Sequence, residues 1–226
     1  MVKRRKGPSP APGTRDRILA AAMEEFAARG FDGAKVDRIA ARARVNKAML
    51  YYHFKNKADL YRDILRDLFQ SMAEAVAASR AEGGPPAEQL QRYIRAMAAE
   101  AARRPFLPSI WLREMAEGGR HLDASVISHL TSVLGVLAAI VRDGHEDGVF
   151  IEVHPFILQM SIVAPLLMFS ASAPVRERFA HLFPPAMASA TRDAVVAHIE
   201  ASALATLTAG RRPAGGPTAS TQRSRR

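Results

Sequence analysis

Residues 36–57 read VDRIAARARVNKAMLYYHFKNK, a pattern that predicts two short helices separated by a tight polar break. The apolar residues of the first helix recur at i, i+3, i+4 and i+7 and therefore line one face: Val36, Ile39, Ala40 and Ala43. Asn46 offers a side-chain oxygen to cap a second helix over residues 47 to about 54. Leu50 and Phe54 are one turn apart in that helix, so we expect them to hold it to the domain.

The rest of the second helix is left free to contact another molecule. Its free side chains are a cation, a thioether, two phenols and an imidazole: Lys47, Met49, Tyr51, Tyr52 and His53. Such a face suits a DNA major groove, where base edges and phosphates both need partners. We therefore predict that the second helix reads double-stranded DNA.

At this point the chain resembles the tetracycline-repressor (TetR) family of one-component transcriptional regulators. In a first helix the resembling residues are Thr14, Arg15, Ile18, Leu19, Ala22 and Phe26. They are followed by the break GFDG at residues 30–33 and by IAARARVNKAMLYYHFKNKADLY from residue 39. The resemblance is specific over about the first quarter of the chain, and beyond it only length and helical pattern agree.

The resemblance implies roles for individual residues. Bases or phosphates would be met from the recognition helix by Lys47, Tyr51, Tyr52 and His53. Lys57, capped into the next helix by Asn56, would clamp a phosphate. Thr14 and Arg15 would touch the DNA backbone from the first helix.

Two positions depart from the family's usual pattern. Lys35 stands where a threonine commonly caps the first helix of the motif, and Arg44 stands where the turn usually has glycine. Loss of a cap costs roughly 0.5–2 kcal/mol, and a left-handed Arg44 would add strain on the order of 1 kcal/mol. Both replacements are basic and would lie near the phosphate backbone, so they weaken the motif's stability but favour nonspecific DNA binding.

Composition limits the class of protein. The chain has 226 residues, 48% of them hydrophobic, which is enough for one large or two small domains with a core. It has no cysteine, which excludes disulfides and thiolate metal sites. The basic residues 3–6 are followed by Pro and Gly instead of an apolar stretch, and the apolar run 155–173 is interrupted by polar residues and proline. We therefore expect no signal peptide, no membrane association and a cytoplasmic location.

Positive charge is concentrated at the two ends of the sequence. Residues 1–60 hold 14 basic and 6 acidic residues, residues 61–209 hold 13 and 16, and residues 210–226 hold 5 and none. This distribution indicates that a polyanion is met by the N-terminal part. The tail 210–226 is expected to be disordered and its charge to aid solubility. The arm 1–11 either has that role or enters a neighbouring minor groove.

The remaining sequence predicts an all-α protein with two domains. An N-terminal three-helix helix-turn-helix DNA-binding domain would occupy residues 12–72, with the motif at about 35–54. A larger helical ligand-binding and dimerisation domain would occupy residues 73–209. The predicted helices beyond the motif cover residues 14–29, 57–80, 87–103, a short segment around 111–115, 123–142, 155–173 and 185–209.

Dimerisation is part of the expected mechanism, because two modules held about one DNA turn apart, roughly 34–36 Å, read a palindrome. The last two long helices carry the apolar residues predicted for the interface, and the family resemblance points to the same helices. These residues are Ile162, Leu166, Phe169, Val195, Val196, Ile199 and Leu204. The alternative is that they pack only inside their own subunit.

A ligand cavity is predicted from large, soft side chains in the middle helices. The candidates are Trp111, Met115, Phe156, Met160 and Met168, with Arg113, Glu114, His121 and His129 available to orient a polar group. The alternative for each of these residues is an ordinary place in the core or on the surface. No cofactor is expected, and the charged turn 145–147 is better explained by solvation than by metal binding.

These observations favour a dimeric repressor that binds a palindromic operator and is released by a small hydrophobic effector. A ligand-independent architectural or regulatory DNA-binding protein is the alternative. Enzymatic activity is disfavoured, because the sequence has no G-x-S-x-G, P-loop, HExxH or glycine-rich dinucleotide motif.

Overall fold

The computed structural model describes residues 13–184 and 189–209, and the predicted N-terminal arm and C-terminal tail lie outside these ranges. The described chain is all-α, as predicted, and forms no strand in these ranges. The helices are α1 (Thr14–Gly33), α2 (Val36–Ala43), α3 (Lys47–His53), α4 (Lys57–Ala81), α5 (Pro86–Arg103), α6 (Leu107–Ala116), α7 (Ala124–Glu146), α8 (Pro155–Ala171), α9 (Ala173–Arg178) and α10 (Arg192–Thr208), with a 3₁₀ turn at Ala180–Leu182.

Several helix ends differ from the sequence patterns, and α6 begins at Leu107, ahead of the predicted segment around 111–115. The regular backbone of α1 breaks at Gly30, where φ is 69°, as its glycine predicts. Helix α7 runs one turn beyond the predicted end at residue 142, and α8 ends two residues before the predicted 173. Of the predicted helix 185–209, residues 185–188 lie outside the described ranges; helix α10 begins at Arg192, where the Thr191 side chain accepts the Ala194 N–H and caps it.

The N-terminal head is a small helical unit with its own apolar centre. Helix α1 packs against α2 and α4, and α2 packs against α3. Each helix contributes a side chain that is no more than 1% exposed: Ile18, Phe26, Ile39, Leu50, Leu60 and Ile64. The head is therefore held by burial, which contributes roughly 1.5–3 kcal/mol for each large aliphatic residue.

Helix α4 joins the head to the body. Its first half lies in the head, and its second half packs against α5 and α7. Buried Leu68, Met72 and Val76 continue the apolar stripe of this helix into the body. Head and body consequently share one continuous helix.

A buried carboxylate ties α4 to α5. Glu100 is 2% exposed and accepts hydrogen bonds from Ser71, Arg103 and Arg104. Burial alone would raise the pKa of Glu100, but these hydrogen bonds outweigh it and lower the pKa to about 2. The charged form is thus stabilised in the folded state.

Helix α7 is long and apolar enough to cross a membrane by length and composition, with a mean hydropathy of 2.0. It is the one such helix in the described ranges. It packs against α4, α5 and α8. Core helices pass the same test, so its composition is weak support for a span.

Candidate nucleic-acid interface and effector cavity

Helix α3 is fixed to the head by its cap and by one face. The Asn46 Oδ1 atom accepts the Met49 N–H at 2.7 Å, which is the cap predicted from the sequence. Leu50 is fully buried, and Phe54 is 3% exposed just after the helix. Because these residues face the core, the opposite side of this short helix is directed to solvent.

The solvent face of α3 carries the side chains predicted to contact DNA. Met49, Tyr51 and Tyr52 are 42%, 45% and 82% exposed. Lys47 is also exposed, and half-buried His53 packs its ring against the edge of Tyr52 at 5.3 Å between centroids. Together they offer phenolic donors and a cation, which can bind phosphates and base edges, and an apolar side chain, which can contact a thymine methyl.

Lys47 forms an ion pair with Asp37 of α2, with 2.8 Å between Nζ and Oδ1. The hydrogen bond and the charge of Asp37 raise the pKa of Lys47, so the ammonium keeps its charge at neutral pH. Both side chains are largely exposed, so the pair exchanges with solvent at little cost. A phosphate can therefore replace Asp37 as the partner.

The start of α1 lies next to the end of the recognition helix. The Arg15 guanidinium donates to Asp63 at 2.9 Å and lies 5.4 Å above the ring of Phe54. Thr14 accepts a hydrogen bond from Arg17 at 3.4 Å. Thr14 and Arg15 thus flank α3, at an edge of the head where a DNA backbone could run.

Lys57 has an internal role that the sequence did not reveal. Its ammonium donates to the carbonyl oxygens of Phe31 and Ala34 at 2.9 and 3.2 Å, and it lies 4.5 Å from the centroid of the Phe31 ring. These contacts join the start of α4 to the segment between α1 and α2. A phosphate contact by Lys57 would have to compete with them.

The two unusual basic residues of the motif adopt the local structures expected of them. Arg44 has φ 55° and ψ 47°, in the left-handed region. Its N–H bonds to the Ala41 carbonyl, and the Val45 N–H bonds to Ala40, which is the hydrogen-bond pattern of a Schellman motif. Lys35 provides no side-chain cap to α2.

Glu25 of α1 holds the start of α2. This carboxylate is 3% exposed and accepts the Lys35 N–H at 3.3 Å and the Arg38 guanidinium at 2.6 Å. Burial opposes its ionisation, but the bonds to Arg38 and Lys35 lower the pKa of Glu25 overall. The start of α2 is therefore held from α1, which no local pattern around Lys35 indicates.

The body encloses an apolar cavity of about 330 Å³ between α4, α5, α6, α7 and α8. Its wall is aliphatic and aromatic apart from Thr131 and Gln159. The lining residues are Phe69, Met72, Met97, Ala101, Leu107, Trp111, Ile127, Leu130, Thr131, Val133, Leu134, Phe156, Gln159, Met160, Val163, Leu166 and Leu167. Ile127, Phe156 and Met160 are also 45%, 52% and 42% exposed, so they mark the mouth of the cavity between α7 and α8.

Three of the residues proposed from sequence for a ligand site line this cavity, and three do not. Trp111, Phe156 and Met160 belong to the wall. Arg113 instead lies against Gly30 of the head, 3.5 Å from the position that a Cβ on this glycine would take. Met115 and Met168 are 43% and 57% exposed and point to the surface. The six residues separate in this way because neighbouring positions on one helix face different directions.

Glu114 and His121 lie at the junction of head and body and not in the cavity. Glu114 is fully buried and accepts hydrogen bonds from the His121 N–H at 2.7 Å and from the Tyr61 hydroxyl at 3.2 Å. The His121 ring lies 4.1 Å from that of Phe31 between centroids. His129 is likewise absent from the cavity wall.

In the described ranges, one group of three ligand-type side chains lies close enough to hold a metal ion: Glu114, Glu117 and His121, whose ligand atoms are within 4.8 Å of one another. The oxygens of Glu114 already accept hydrogen bonds from the Tyr61 hydroxyl and the His121 N–H. Exposed Glu117 pairs with Arg120 at 2.8 Å. These hydrogen bonds account for the cluster without an ion.

A head with an exposed recognition helix, joined by one long helix to a body with a cavity, defines a helix-turn-helix DNA-binding regulator. The family model described as "Bacterial regulatory proteins, tetR family" matches residues 18–64. The repressor NicS of Pseudomonas putida is 30% identical over 139 residues, which are 61% of this chain and 66% of that protein. The repressor SCO4008 of Streptomyces coelicolor is 32% identical over 145 residues, 63% of this chain and 70% of that protein.

The fold of the whole body is also shared. A bacterial regulatory protein of the tetR family from Rhodococcus RHA1 superposes with a TM-score of 0.71 at 20% identity, over 87% of this chain and 98% of that one. The chain belongs to the TetR family of transcriptional regulators. This is a family of DNA-binding proteins that are not enzymes.

Proposed function

We propose that this chain is a cytoplasmic repressor that binds a palindromic operator as a homodimer and is released by a small hydrophobic effector. Residues 12–72 would be the DNA-binding domain and residues 73–209 the effector-binding and dimerisation domain. The observation that carries this proposal is the combination of an exposed phenolic and cationic helix with a largely apolar cavity, connected by α4.

The DNA contacts are proposed from exposure and chemistry. Tyr51, Tyr52, Lys47 and Met49 would meet base edges and phosphates from the major groove, and Arg15 would meet the flanking backbone. Thr14, His53 and Lys57 are proposed as supporting contacts at the edge of the same surface. Tyr52 is the most exposed of the large apolar residues and should lose the most binding when truncated.

Dimerisation is proposed through α8 and α10, which pack on each other. Three of the residues expected at the interface are buried inside their own subunit: Ile162, Leu166 and Ile199 are 0%, 7% and 3% exposed. These three fit the alternative in which they pack inside their own subunit, because apolar character alone does not tell an inward face from an outward one.

The outward surface of the two helices carries other residues. On α8 it includes Ile157 and Met168, which are 67% and 57% exposed. On α10 the exposed residues Ala197, Ala201 and Ala205 recur every four positions. Small side chains let a partner helix approach closely, and we propose that this surface faces the second copy.

Effector release is proposed to pass through α6. Trp111 lines the cavity, and Glu114, three residues later, accepts a hydrogen bond from the Tyr61 hydroxyl of α4. The loop after α6 also reaches the head, because Arg120 pairs with Asp32 at 2.7 Å. A ligand that moves α6 would thereby alter the position of the head, and a coupling of roughly 1–3 kcal/mol is enough to change operator occupancy.

The test begins by selecting bound fragments from random duplexes, which yields the half-site and its spacing. Affinity for that operator is then measured by fluorescence anisotropy for Tyr52→Ala and Lys47→Ala. We expect losses of about 5-fold to 150-fold, the equivalent of 1–3 kcal/mol. Arg142→Ala is the control, since it removes an exposed positive charge from the body and should change affinity little. Unchanged specific binding in both head variants would reject the assignment of α3.

The ligand-independent regulator remains the second candidate, since an apolar cavity is no proof of an effector. Footprinting distinguishes a selective site from nonspecific coating, and sedimentation shows whether the protein is dimeric. A monomer at working concentration would contradict the palindrome. Indifference of the complex to a broad panel of hydrophobic compounds would favour the second candidate.

A further inference from the structure

We propose that the effector is an uncharged, largely apolar molecule that presents a hydrogen-bond acceptor, such as a carbonyl oxygen, to the side-chain amide of Gln159. This inference rests on the proposed function, because it assigns the chemical class of ligand that the cavity takes. It is carried by the charge, the size and the polar groups of the cavity wall.

The wall has no group that would compensate a charged ligand. Among the described residues that line the cavity, none is Asp, Glu, Lys, Arg or His. An ionised carboxylate or amine buried there would lose its hydration without gaining a counter-ion. The cavity therefore selects against fatty-acid anions and organic cations in favour of neutral molecules.

The size of the cavity sets the size of the ligand. Its volume of about 330 Å³ is roughly twice that of an engineered protein cavity of about 150 Å³ that binds benzene. A fused pair of six-membered rings, or a chain of comparable volume, fits this space. The mouth at Ile127, Phe156 and Met160 gives such a molecule a path from solvent.

Gln159 is the buried polar residue of this wall and is 7% exposed. The Tyr93 hydroxyl lies 2.7 Å from the Gln159 Oε1 and 3.3 Å from the Val133 carbonyl oxygen. A phenol has one proton to donate, and the shorter distance is typical of O–H···O hydrogen bonds. The carbonyl oxygen of the amide is therefore occupied by Tyr93.

The amide nitrogen of Gln159 has the weaker partner. It faces the Met97 sulfur at 3.8 Å, and a thioether is a poor acceptor. The reverse orientation of the amide would place Oε1 against that sulfur, where neither atom carries a proton. The amide nitrogen has two protons to donate, so it keeps donor capacity for a ligand.

The other polar side chains in the wall are less suited to this role. The Thr131 hydroxyl donates to the Ser128 carbonyl at 2.9 Å, so its proton is already used. Trp111 has an indole N–H, but this residue is half-buried and forms part of a ring contact with Phe69. We therefore assign ligand orientation to Gln159.

Trp111 makes direct measurement of binding practical, because it is the only tryptophan in the sequence and it lines the cavity. The probes are α-tetralone, the hydrocarbon tetralin, and the carboxylate of the same ring system, each titrated by tryptophan fluorescence without DNA. We expect α-tetralone to bind about 2-fold to 10-fold more tightly than tetralin, which is the usual worth of one hydrogen bond. The carboxylate should bind more weakly than both.

The matched variants are Gln159→Leu and Thr131→Val, each checked by circular dichroism and thermal unfolding. Gln159→Leu should abolish the preference for the ketone over the hydrocarbon while tetralin still binds, and Thr131→Val should leave the preference unchanged. Calorimetry with Trp111→Phe tests whether the indole donates instead. A preference that persists in Gln159→Leu, is absent from the natural protein, or favours the carboxylate overturns the inference.

Binding of the probes and their effect on operator affinity separate the ligand class from the proposed function. If α-tetralone binds with the expected preference but leaves operator affinity unchanged, the ligand class stands and effector-relieved repression falls. If operator DNA binds normally and no probe enters the cavity, the assignment of the ligand class is overturned while DNA binding stands.

Discussion

Replacing Arg44 by glycine should relieve a backbone strain that alanine at the same position retains. Within the described ranges Arg44 is the only non-glycine residue with a positive φ, at 55°. A side chain in this conformation costs roughly 1–2 kcal/mol, which glycine avoids. Glycine in turn costs about 0.4–1 kcal/mol, because it increases the conformational entropy of the unfolded chain. The free energy of unfolding should therefore be higher for Arg44→Gly than for Arg44→Ala by about 1 kcal/mol, or about 2–4 °C in Tm.

Comparison of these two variants isolates the strain. Both remove the guanidinium, and with it a favourable interaction of about 0.3–1 kcal/mol between a cation and the C-terminus of α2. The free energies of unfolding of the two proteins, measured with heat or urea, therefore differ only by the backbone strain and the entropy of glycine. Equal Tm values would refute the argument that the left-handed conformation is costly here.

The same pair of variants tests whether Arg44 contacts DNA. Its side chain is exposed in the turn just before α3, next to the surface proposed to face the phosphates. If it contacts one phosphate, both variants should reduce the slope of log affinity against log salt by about 0.9. An unchanged slope in both would remove Arg44 from the interface, whatever its effect on stability.

Three further predictions concern packing and charge. Gly144→Ala should destabilise by about 1–3 kcal/mol, since its Cβ would lie 2.1 Å from the ring of Phe150, whereas Gly135→Ala on the same helix meets nothing within 4 Å and should be neutral or stabilising in thermal unfolding. The pKa of Glu100 is lowered from 4.5 to about 2, so its stabilising effect is present above about pH 5 and is lost as the pH falls towards 2. Urea unfolding should therefore show a larger loss of stability for Glu100→Gln at pH 7 than at pH 3. An equal loss at the two pH values would contradict this. Lys57→Met should lower stability by about 1–2 kcal/mol, because two carbonyls lose their donor; an unchanged Tm with weaker DNA binding would instead assign Lys57 to a phosphate.

The DNA-reading head was predictable because its signals are local. The cap at Asn46, the anchor at Leu50 and the left-handed turn at Arg44 each depend on residues within one or two turns of each other. The sequence could not reveal contacts between residues that lie far apart in the chain. Glu25 of α1 bonds the N–H of Lys35 at the start of α2, a contact across ten positions that no capping pattern anticipates.

The cavity was predictable in its location and only partly in its residues. Large, soft side chains in the middle helices indicated a pocket there, and Trp111 and Phe156 do line it. The sequence does not mark Gln159 as a site residue, because a single polar residue in the apolar run of α8 carries no signal of its partner. Its role depends on Tyr93 of α5, and a partner so far away in the sequence leaves no periodic pattern.

Helix α6 contacts both the cavity and the head. Trp111 and Glu114 are separated by less than one turn, yet one side chain contacts the space for a ligand and the other is buried between His121 and Tyr61. Glu114 is fully buried, so loss of these hydrogen bonds without replacement would cost about 1–3 kcal/mol. A ligand that shifts α6 would therefore act on Glu114 and on its contact to α4. Since α4 also carries Lys57, which bonds the carbonyls of Phe31 and Ala34, such a shift would reach the end of α1 and, through the packing of α1 on α2, the helix on which the recognition helix rests.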